Sequence, residues 1–306
     1  MLKKSVSAII GSGYFARIYI KYLLNSNRTQ LKYVFFKKNK PIDLIRDNPK
    51  IFFTKNIAEI LNNKEIDNIF IITPIETHYK LFYKCLSAGF NCLVEKPLLT
   101  NKKSIYLLEK KFINLNKCVS YPYKFSSALK YIKKLIKLNK IKNILNINIT
   151  FYQYGKFFKH DIEKILGPHA FTILNEFYEI NKVKFKKVIL FKNQGINEKV
   201  RYDIYLKNKL VANVNLCINY SIGKLRSIEI LCKDSIVKWD LKNNISTVKI
   251  YKNKRIKYKN YMIGKKVAFY EKKFSEKNNI NNVINHFLTS KNDNLKFTKN
   301  ILSFIS

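Results

Sequence analysis

The sequence is poor in glycine, proline and cysteine. Its 306 residues include eight glycines, six prolines and five cysteines. An odd number of cysteines without C-x-x-C spacing indicates neither a disulfide framework nor a zinc site, so we predict no metal. No apolar run approaches the roughly 20 residues that a membrane-spanning helix needs. These absences predict a reduced, cytoplasmic chain that does not bind a membrane.

Acidic residues are also scarce. The chain has 20 Asp and Glu against 59 Lys and Arg, which gives a formal net charge of +39. Nucleic-acid-binding proteins carry such charges. Only six of the basic residues are arginine, however, and the lysines are spread along the whole chain. Arginine is the residue favoured for bidentate recognition of bases and phosphates. We therefore expect no specific nucleic-acid partner, although an anionic substrate would be attracted.

Strand and helix patterns alternate in the first part of the chain. Apolar runs of strand character at 5–10, 31–36, 69–73 and 91–94 are separated by stretches of helical periodicity. Strands that are apolar throughout are typical of a parallel sheet covered on both faces. The pattern predicts an α/β domain with a doubly wound parallel sheet over residues 1–121.

The pattern changes after about residue 141. Residues 144–154 alternate between apolar and polar, one helix is predicted around 167–178, and strand-like segments with short turns follow. Such a succession predicts an open, mainly antiparallel sheet. Helices are predicted again at 279–288 and 298–304. We therefore predict a second, α+β domain over 122–306 for substrate binding and oligomerisation.

A glycine-rich turn joins the first predicted strand to a helix. The segment IIGSGYFA has the spacing G-x-G-x-x-A. The first glycine permits a tight turn, the second lets the backbone approach a pyrophosphate, and the alanine keeps helix and strand close. At a strand–turn–helix junction the motif favours a dinucleotide-binding Rossmann domain over a purely structural turn. The predicted cofactor contacts here are Gly11, Gly13, Tyr14, Phe15 and Ala16. The periodicity of the helix predicts an apolar face with Phe15, Ile18 and Tyr22, which Leu23 could extend.

The end of the second predicted strand bears on the choice of cofactor. An acidic residue there would bind the ribose hydroxyls of NAD, but the sequence has Phe36-Lys37-Lys38. A pair of cations suits a 2′-phosphate better than a bare hydroxyl, so Lys37 and Lys38 are predicted cofactor contacts. Two ordinary lysines in a lysine-rich chain are an equally open alternative. The predicted cofactor is therefore NADP or NAD.

The most specific pattern lies between residues 71 and 98, in IITPIETHYKLFYKCLSAGFNCLVEKPL. With the glycine motif before it, and the segments SYPYKF, LGPHAFTIL and LRSIEILCKDSIVKWD after it, this stretch resembles the Gfo/Idh/MocA family. That family contains the glucose–fructose oxidoreductase and inositol dehydrogenase-like enzymes. The resemblance covers nearly the whole chain and rests, in order, on Thr73-Pro74, His78, Ala88-Gly89 and Glu95-Lys96-Pro97.

The resemblance implies an activity and a set of partners. It implies an NAD(P)-dependent oxidoreductase of carbohydrate metabolism. The enzyme would transfer hydride between nicotinamide and a secondary hydroxyl or ketone of a sugar, polyol or nucleotide-linked sugar. Relatives commonly use the outer face of the open sheet for subunit contacts, so a homodimer or homotetramer is also implied.

Lys96 and His169 are the predicted catalytic residues. Because strands of a doubly wound sheet end where nicotinamide and substrate bind, the Lys96 ammonium would stabilise alkoxide character on the substrate oxygen. The family's matching histidine takes or gives the hydroxyl proton, and His169 is expected to open a helix after Gly167-Pro168. Lys124 falls where many relatives carry arginine and is a predicted substrate contact. Further predicted cofactor contacts are Thr73, Pro74, His78, Glu95 and Lys96.

Structural alternatives remain for these residues: a surface ion pair for Glu95 and Lys96, a capping or core histidine for His169, and a solvated Lys124. One position also departs from the family pattern. The family commonly has an aspartate four residues before the matching histidine, and here that position is Ile165. Either His169 works alone with Lys96, or the site has lost proton-transfer capacity. A catalytically impaired cofactor-binding paralogue or sensor of the same fold is therefore the alternative function.

Overall fold

The computed structural model describes residues 4–155, 159–290 and 293–305. These divide into two compact units. The first contains the described residues of Met1–Tyr121 and Ile280–Ser303, and the second those of Pro122–Asn279 and Phe304–Ser306. The domain division at 121/122 stays a prediction, and the structure groups the C-terminal segment 280–303 with the first unit. Among the described residues no helix is both long and apolar enough to cross a membrane.

The first unit contains a six-stranded parallel sheet. Its strands are β1 (Ser5–Ile10), β2 (Thr29–Phe35), β3 (Phe52–Thr54), β4 (Asn68–Ile71), β5 (Asn91–Val94) and β6 (Lys117–Val119), in the order β3-β2-β1-β4-β5-β6. The strand order reverses between β1 and β4, and ligands of doubly wound sheets bind at the carboxyl ends of the strands at such a point. The predicted α/β fold with a parallel sheet is confirmed.

Helices connect the strands of this sheet. They are α1 (Tyr14–Leu24), α2 (Ile42–Asp47), α3 (Ile57–Leu61), a 3₁₀ turn (Ile75–Thr77), α4 (His78–Ser87) and α5 (Lys102–Lys111). The buried face of α1 consists of Ala16, Tyr19, Ile20 and Leu23, a spacing that gives one apolar stripe. Of the predicted face, Leu23 is buried, but Phe15 is exposed and Ile18 and Tyr22 are only partly buried, so the face is wrong in its centre. The small Ala16 turns toward the strands, and this rotates Phe15 outward.

The second unit contains an eight-stranded sheet. Its strands are β7 (Ile144–Tyr152), β8 (Lys184–Asn193), β9 (Ile196–Leu206), β10 (Lys209–Cys217), β11 (Leu225–Cys232), β12 (Ser235–Lys242), β13 (Ile245–Tyr258) and β14 (Tyr261–Ser275). The strand order is β14-β13-β12-β11-β7-β10-β9-β8. The β7–β10 pair is parallel, and the other pairs are antiparallel. The predicted open, mainly antiparallel sheet is confirmed.

Two helices belong to this unit, α6 (Ser127–Lys137) and α7 (Ile162–Asn175). The expectation that a helix begins at about residue 167 is wrong, because α7 begins at Ile162 and contains Pro168. A proline inside a helix costs about 3 kcal/mol. Each fully buried Leu, Ile or Phe contributes about 1.5–3 kcal/mol. The buried apolar side chains of α7 outweigh the proline: Ile162, Ile165, Leu166, Phe171, Ile173 and Leu174.

Two C-terminal helices complete the chain, α8 (Asn279–Thr289) and α9 (Leu295–Ile305). The segment between them is bonded to the edge strand β6. Asn294 accepts a hydrogen bond from Val119 N at 2.8 Å and donates one to Val119 O at 2.7 Å. The buried Lys117 ammonium lies 2.8 Å from an Asp293 carboxylate oxygen. These contacts cover the edge of the parallel sheet, which would otherwise expose unpaired backbone groups.

Candidate active site

The glycine-rich turn begins at the carboxyl end of β1. Gly11 has φ of +130°, and a Cβ added there would lie 2.1 Å from the carbonyl oxygen of Ile72. The Gly11 N–H donates a hydrogen bond to Phe35 O at 2.9 Å. The backbone therefore passes between the ends of β2 and β4 with no room for a side chain, and only glycine satisfies both the dihedral angle and the contact.

Gly13 immediately precedes α1 as its N-cap residue. A Cβ added at Gly13 would meet no atom of the described chain within 4 Å, so the space beside this backbone is open. The first turn of α1 contains no acidic residue, and Tyr14 is 77% exposed. The positive end of the helix dipole thus faces open space, which suits an anionic pyrophosphate. These residues fit a dinucleotide.

The chain after β2 contains the lysines predicted to contact the cofactor. Lys37 and Lys38 are exposed, directly after the buried Phe36. The acid that follows them, Asp43, forms a two-contact ion pair with Arg17 of α1. The hydrogen bond from Arg17 lowers the pKa of Asp43 to about 2. The contact of the two lysines with a cofactor stays a prediction.

His78 joins the loops that follow β4 and β5. The ring is 1% exposed, with Nδ1 2.9 Å from Pro97 O and Nε2 2.8 Å from Thr73 O. Thr77 Oγ1 lies 2.7 Å from both Thr73 Oγ1 and Pro74 O. The buried His78 side chain therefore links the Thr73-Pro74 motif to the Glu95-Lys96-Pro97 motif. Its predicted contact with the cofactor, like those of Thr73 and Pro74, stays a prediction.

Glu95 is a buried carboxylate, 5% exposed. Its Oε1 accepts a hydrogen bond from the Tyr19 hydroxyl at 2.5 Å, and its Oε2 accepts one from the backbone N–H of Lys96 at 3.0 Å. The Tyr19 hydroxyl also lies 2.7 Å from Ser120 Oγ. Burial, and then the charge of Glu95, raise the pKa of Tyr19 well above its usual value, so the phenol remains a donor.

Lys96 lies directly after β5, beside the end of β4 in the sheet. Its side chain is partly exposed, and the peptide bond to Pro97 is cis. The backbone is fixed on both sides, because Glu95 N donates to Ile71 O at 3.0 Å and Ser120 N donates to Val94 O at 2.9 Å. The carboxyl ends of β1, β4 and β5 share one sheet edge, so the structure brings Lys96 to the same edge as the glycine turn.

The sequence interpretation missed Tyr19 and Ser120. No motif marks Tyr19, and Ser120 is the first residue of the SYPYKF segment without a role assigned to it. Tyr19 lies on the buried face of α1 and Ser120 directly after β6, and both are fully buried. A buried hydroxyl needs a partner. That requirement is the signal that could have linked them to Glu95.

His169 belongs to the second unit and lies in the middle of α7, not at its start. The imidazole is partly exposed, and its ring centroid is 5.2 Å from that of Tyr123 at an interplanar angle of 67°. Tyr123 and Lys124 lie in a 3₁₀ helix, Pro122–Phe125, where Lys124 is partly exposed. Ile165, one helical turn before His169, is 6% exposed.

Arg226 of β11 lies behind Tyr123. The guanidinium is 4% exposed and lies over the ring of Phe151, 4.9 Å from the centroid. It donates to Tyr152 O at 2.5 Å and to Gln153 Oε1 at 2.7 Å. Burial raises the pKa of Tyr123 to about 12, although the charge and the hydrogen bond of Arg226 act in the opposite direction. Sequence reasoning assigned no role to Arg226.

The acids near the start of α7 are bonded to other groups. Asp161 accepts hydrogen bonds from Asn197 N at 3.0 Å and from Lys164 at 2.9 Å. Glu163, 1% exposed, lies 2.5 Å from the Lys187 ammonium and accepts a bond from Asn197 Nδ2 at 2.8 Å. Burial raises the pKa of Asp161, but its hydrogen bonds outweigh burial and the net direction is downward. Both carboxylates are thus engaged with partners on β8, β9 and α7.

A parallel sheet with a glycine turn at its switch point is the arrangement of a dinucleotide-binding Rossmann domain. Residues 6–121 match the Gfo/Idh/MocA family model, described as an oxidoreductase family with an NAD-binding Rossmann fold. This match confirms, for residues 6–121, the family resemblance and the nicotinamide cofactor type predicted from the sequence.

Among curated proteins, the oxidoreductase YhhX of Escherichia coli is 28% identical over 156 residues, which are 48% of this chain and 44% of that protein. The matched segment thus spans less than half of this relative. The UDP-N-acetylglucosamine 3-dehydrogenase GnnA of Acidithiobacillus ferrooxidans has a TM-score of 0.76 and 16% identity, over 99% of this chain and 95% of that chain.

A second solved structure is KijD10, a 3-ketoreductase of Actinomadura kijaniata in complex with TDP-benzene and NADP. Its TM-score is 0.79 and its identity 12%, over 99% of this chain and 96% of that chain. At these identities the two structures show the fold of the chain, and they show it along nearly its full length.

Proposed function

We propose that this protein is an NAD(P)-dependent oxidoreductase that acts on a secondary hydroxyl or ketone of a sugar, with nucleotide-linked sugars as the favoured substrate class. The observation that most directly supports this proposal is the anchoring of the Lys96 backbone. A buried carboxylate holds its backbone N–H, and the residue follows β5 at the sheet edge that also bears the glycine turn. A rigid backbone is what a group needs when it must meet a reacting atom.

Each of the candidate site residues has a distinct task in this proposal. The N-terminus of α1 and the open space at Gly13 would bind the pyrophosphate. Lys96 would donate a hydrogen bond to the substrate oxygen and stabilise the charge that develops there. His169 would accept the hydroxyl proton during oxidation and return it during reduction. When bound, the nicotinamide accepts or supplies the hydride of the reacting carbon.

The substrate class is supported by two printed names and by charge. One structural neighbour is a UDP-N-acetylglucosamine dehydrogenase, and another is a 3-ketoreductase crystallised with a TDP compound. Both names refer to nucleoside diphosphate chemistry. A net charge of +39 attracts diphosphates over long distances. We assign Lys124 as a contact for the anionic part of the substrate.

We further propose NADP as the favoured cofactor, because exposed Lys37 and Lys38 stand where an acid would bind the ribose of NAD. A cytoplasmic location is proposed because all five cysteines are free and buried. A homodimer or homotetramer without specific nucleic-acid or membrane partners completes the proposal.

A second candidate function is a cofactor-binding sensor or paralogue that does not turn over substrate. Ile165 favours it, since an apolar, buried side chain stands where relatives carry an aspartate. The two candidates differ in one observable. Both bind the dinucleotide, but only the enzyme transfers hydride.

Cofactor titration followed by turnover tests the proposal. Purified protein is titrated with NADPH and NADH, monitored by nicotinamide fluorescence. It is then assayed with UDP- and TDP-linked sugars in the presence of NADP+ or NAD+, and with their 3-keto forms in the presence of NADPH or NADH. We expect NADPH to bind more tightly than NADH and at least one nucleotide sugar to react. Binding without turnover across this panel would support the sensor instead.

Lys96→Met tests the catalytic assignment. Loss of one oxyanion donor lowers kcat by about 10²–10³, whereas the dissociation constant of the cofactor should change less than about threefold. The matched control is Lys103→Met, which removes an exposed lysine of α5 and should leave kcat unchanged. Equal activities of the two variants would contradict the role of Lys96.

A further inference from the structure

The His169 ring needs a partner that selects one orientation. An imidazole that transfers a proton must present one particular nitrogen to the substrate, and a neighbouring group usually determines which one. In an α-helix a group four residues earlier lies on the same face. Here that residue is Ile165, whose apolar side chain has no hydrogen-bonding atom. A side chain on another element can take that role.

Tyr123 is in position to do so. Its ring meets the imidazole in an edge-to-face arrangement, with centroids 5.2 Å apart and planes at 67°. Such pairs have preferred geometries, and their energies correspond to a preference of about two- to tenfold for one arrangement. The Tyr123 ring also packs against Phe151, at a centroid distance of 5.6 Å. The tyrosine ring is thus held between α7 and β7.

Arg226 lies beside this tyrosine. Its guanidinium is 4.9 Å from the centroid of the Phe151 ring, against which Tyr123 also packs. The guanidinium is immobilised by neutral partners: Tyr152 O at 2.5 Å, Leu225 O at 2.9 Å and Gln153 Oε1 at 2.7 Å. Strands β7 and β11 are adjacent inside the eight-stranded sheet, so these contacts belong to a rigid part of the unit.

We infer that Tyr123, packed on Phe151 beside Arg226, is a positioning residue for the ring of His169. Tyr123 takes the place that a carboxylate would have at position 165, and it acts through His169 without needing to touch substrate. The inference rests on the proposed function insofar as His169 transfers the substrate proton. The dependence of the His169 ring orientation on Tyr123 can be measured independently of any reaction.

Nuclear magnetic resonance of the imidazoles gives that independent measurement. The chain has only four histidines, so spectra of protein with labelled histidine are simple, and His169→Gln identifies the His169 signals. Tyr123→Leu removes the aromatic ring and should shift the His169 ring protons and change its tautomer signals. Tyr123→Phe keeps the ring and should retain most of the ring-current shift. Arg226→Lys, which loses the planar fork, should produce an intermediate change.

Tyr131→Leu is the matched control. Tyr131 lies in the same unit, is also partly exposed, and forms a comparable ring pair with Phe274 at a centroid distance of 5.1 Å. Its loss should leave the His169 signals unchanged. Circular dichroism of each variant verifies that the fold is retained.

Kinetics supply the functional readout. Tyr123→Leu should lower kcat by about three- to tenfold and alter its pH profile, with little change in the KM for the cofactor. Tyr123→Phe should recover most of the lost kcat. Unchanged His169 signals in Tyr123→Leu would overturn the inference, as would shifted signals with an unaltered kcat and pH profile.

The outcomes separate this inference from the proposed function. A wild-type protein that reduces no substrate, but whose His169 signals depend on Tyr123, contradicts the proposed function and supports the positioning contact. An active wild-type protein whose His169 signals ignore Tyr123 supports the proposed function and contradicts the inference.

Discussion

Glu95 is a buried acidic residue that accepts a hydrogen bond from the backbone of the next residue, Lys96. Both carboxylate oxygens have partners, one the Tyr19 hydroxyl and the other the Lys96 N–H. The sequence analysis predicted Glu95 as a cofactor contact, with a surface ion pair with Lys96 as the alternative. In the structure Glu95 is buried and holds the backbone of Lys96, and its contact with the cofactor stays a prediction.

Removal of the Tyr19 hydroxyl should be more costly than removal of a similar hydroxyl elsewhere. In Tyr19→Phe the buried Glu95 carboxylate loses a charge-assisted hydrogen bond, and we expect unfolding free energy to fall by about 1.5–3 kcal/mol. Tyr121→Phe is the control. Its buried hydroxyl bonds the neutral Thr298 at 3.2 Å, so a loss of about 0.5–1.5 kcal/mol is expected.

Urea denaturation followed by circular dichroism measures both variants under the same conditions. The prediction is tested by which of the two variants loses more unfolding free energy. If Tyr121→Phe were at least as destabilising as Tyr19→Phe, the Tyr19–Glu95 bond could not be a major support of the Lys96 segment.

At the scale of elements, periodicity located the long segments and failed for short or interrupted ones. Strands β1 and β5 begin and end at the predicted residues. The three-residue β3 and the six-residue α2 were not predicted, because each is too short to complete a recognisable repeat. Strand β14 was also missed. It is largely exposed along its length and so lacks the alternation by which a half-buried strand is recognised.

Helix α7 illustrates the other limit. Gly167-Pro168 suggests the beginning of a helix, since proline suits a first turn. Burial of the residues before it decides otherwise, and α7 extends five residues further toward the N-terminus. His169 consequently lies inside a helix that is packed in the unit, where its neighbours are Tyr123 and the preceding turn. Its environment could not be predicted from local sequence.

The junction of β1 and α1 provides a prediction at this scale. Gly11→Ala introduces a Cβ 2.1 Å from Ile72 O and also forces an alanine to φ of +130°. Gly89→Ala forces an alanine to φ of +92° with no atom of the described chain within 4 Å of its Cβ. The control therefore carries dihedral strain alone, about 1–2 kcal/mol.

We expect Gly11→Ala to lower unfolding free energy by clearly more than Gly89→Ala and to abolish cofactor binding, because the end of β4 must move away. Thermal denaturation and cofactor titration check the two consequences. Equal melting temperatures for the two variants would show that the close approach of Gly11 to β4 does not constrain the turn.

For the whole molecule, charge governs how ligands arrive more than how the chain folds. A net charge of +39 on 306 residues creates a positive potential around the protein. This field attracts any anion, which includes both dinucleotides and nucleotide sugars. Specific recognition still requires the local geometry of the glycine turn and the residues after β2.

Ionic strength should therefore change the rate of cofactor association. The screening length falls from about 30 Å at 0.01 M salt to about 8 Å at 0.15 M. We expect the association rate of NADPH to fall by about tenfold or more across this range. NADH, which lacks the 2′-phosphate, is the control and should show a shallower dependence in stopped-flow fluorescence. Parallel slopes would contradict a role for the additional phosphate charge.

The sequence alone determined the class of fold and the edge of the sheet where chemistry is expected. Apolar strands separated by helices specify a parallel sheet, and G-x-G-x-x-A with Glu95-Lys96-Pro97 places the reactive groups at strand ends. These are local properties, set by spacing and by backbone dihedral angles. They predicted Gly11, Gly13 and Lys96 without knowledge of any distant contact.

Tertiary structure alone decided which groups hold those residues. Tyr19 reaches Glu95 across 76 residues, and Tyr123 packs against His169 from a different element. His78 joins two loops through Thr73 O and Pro97 O, and its contact with the cofactor stays a prediction. Such partners are selected by the burial of polar groups that must be satisfied wherever the folded chain brings them, and no local pattern records that requirement.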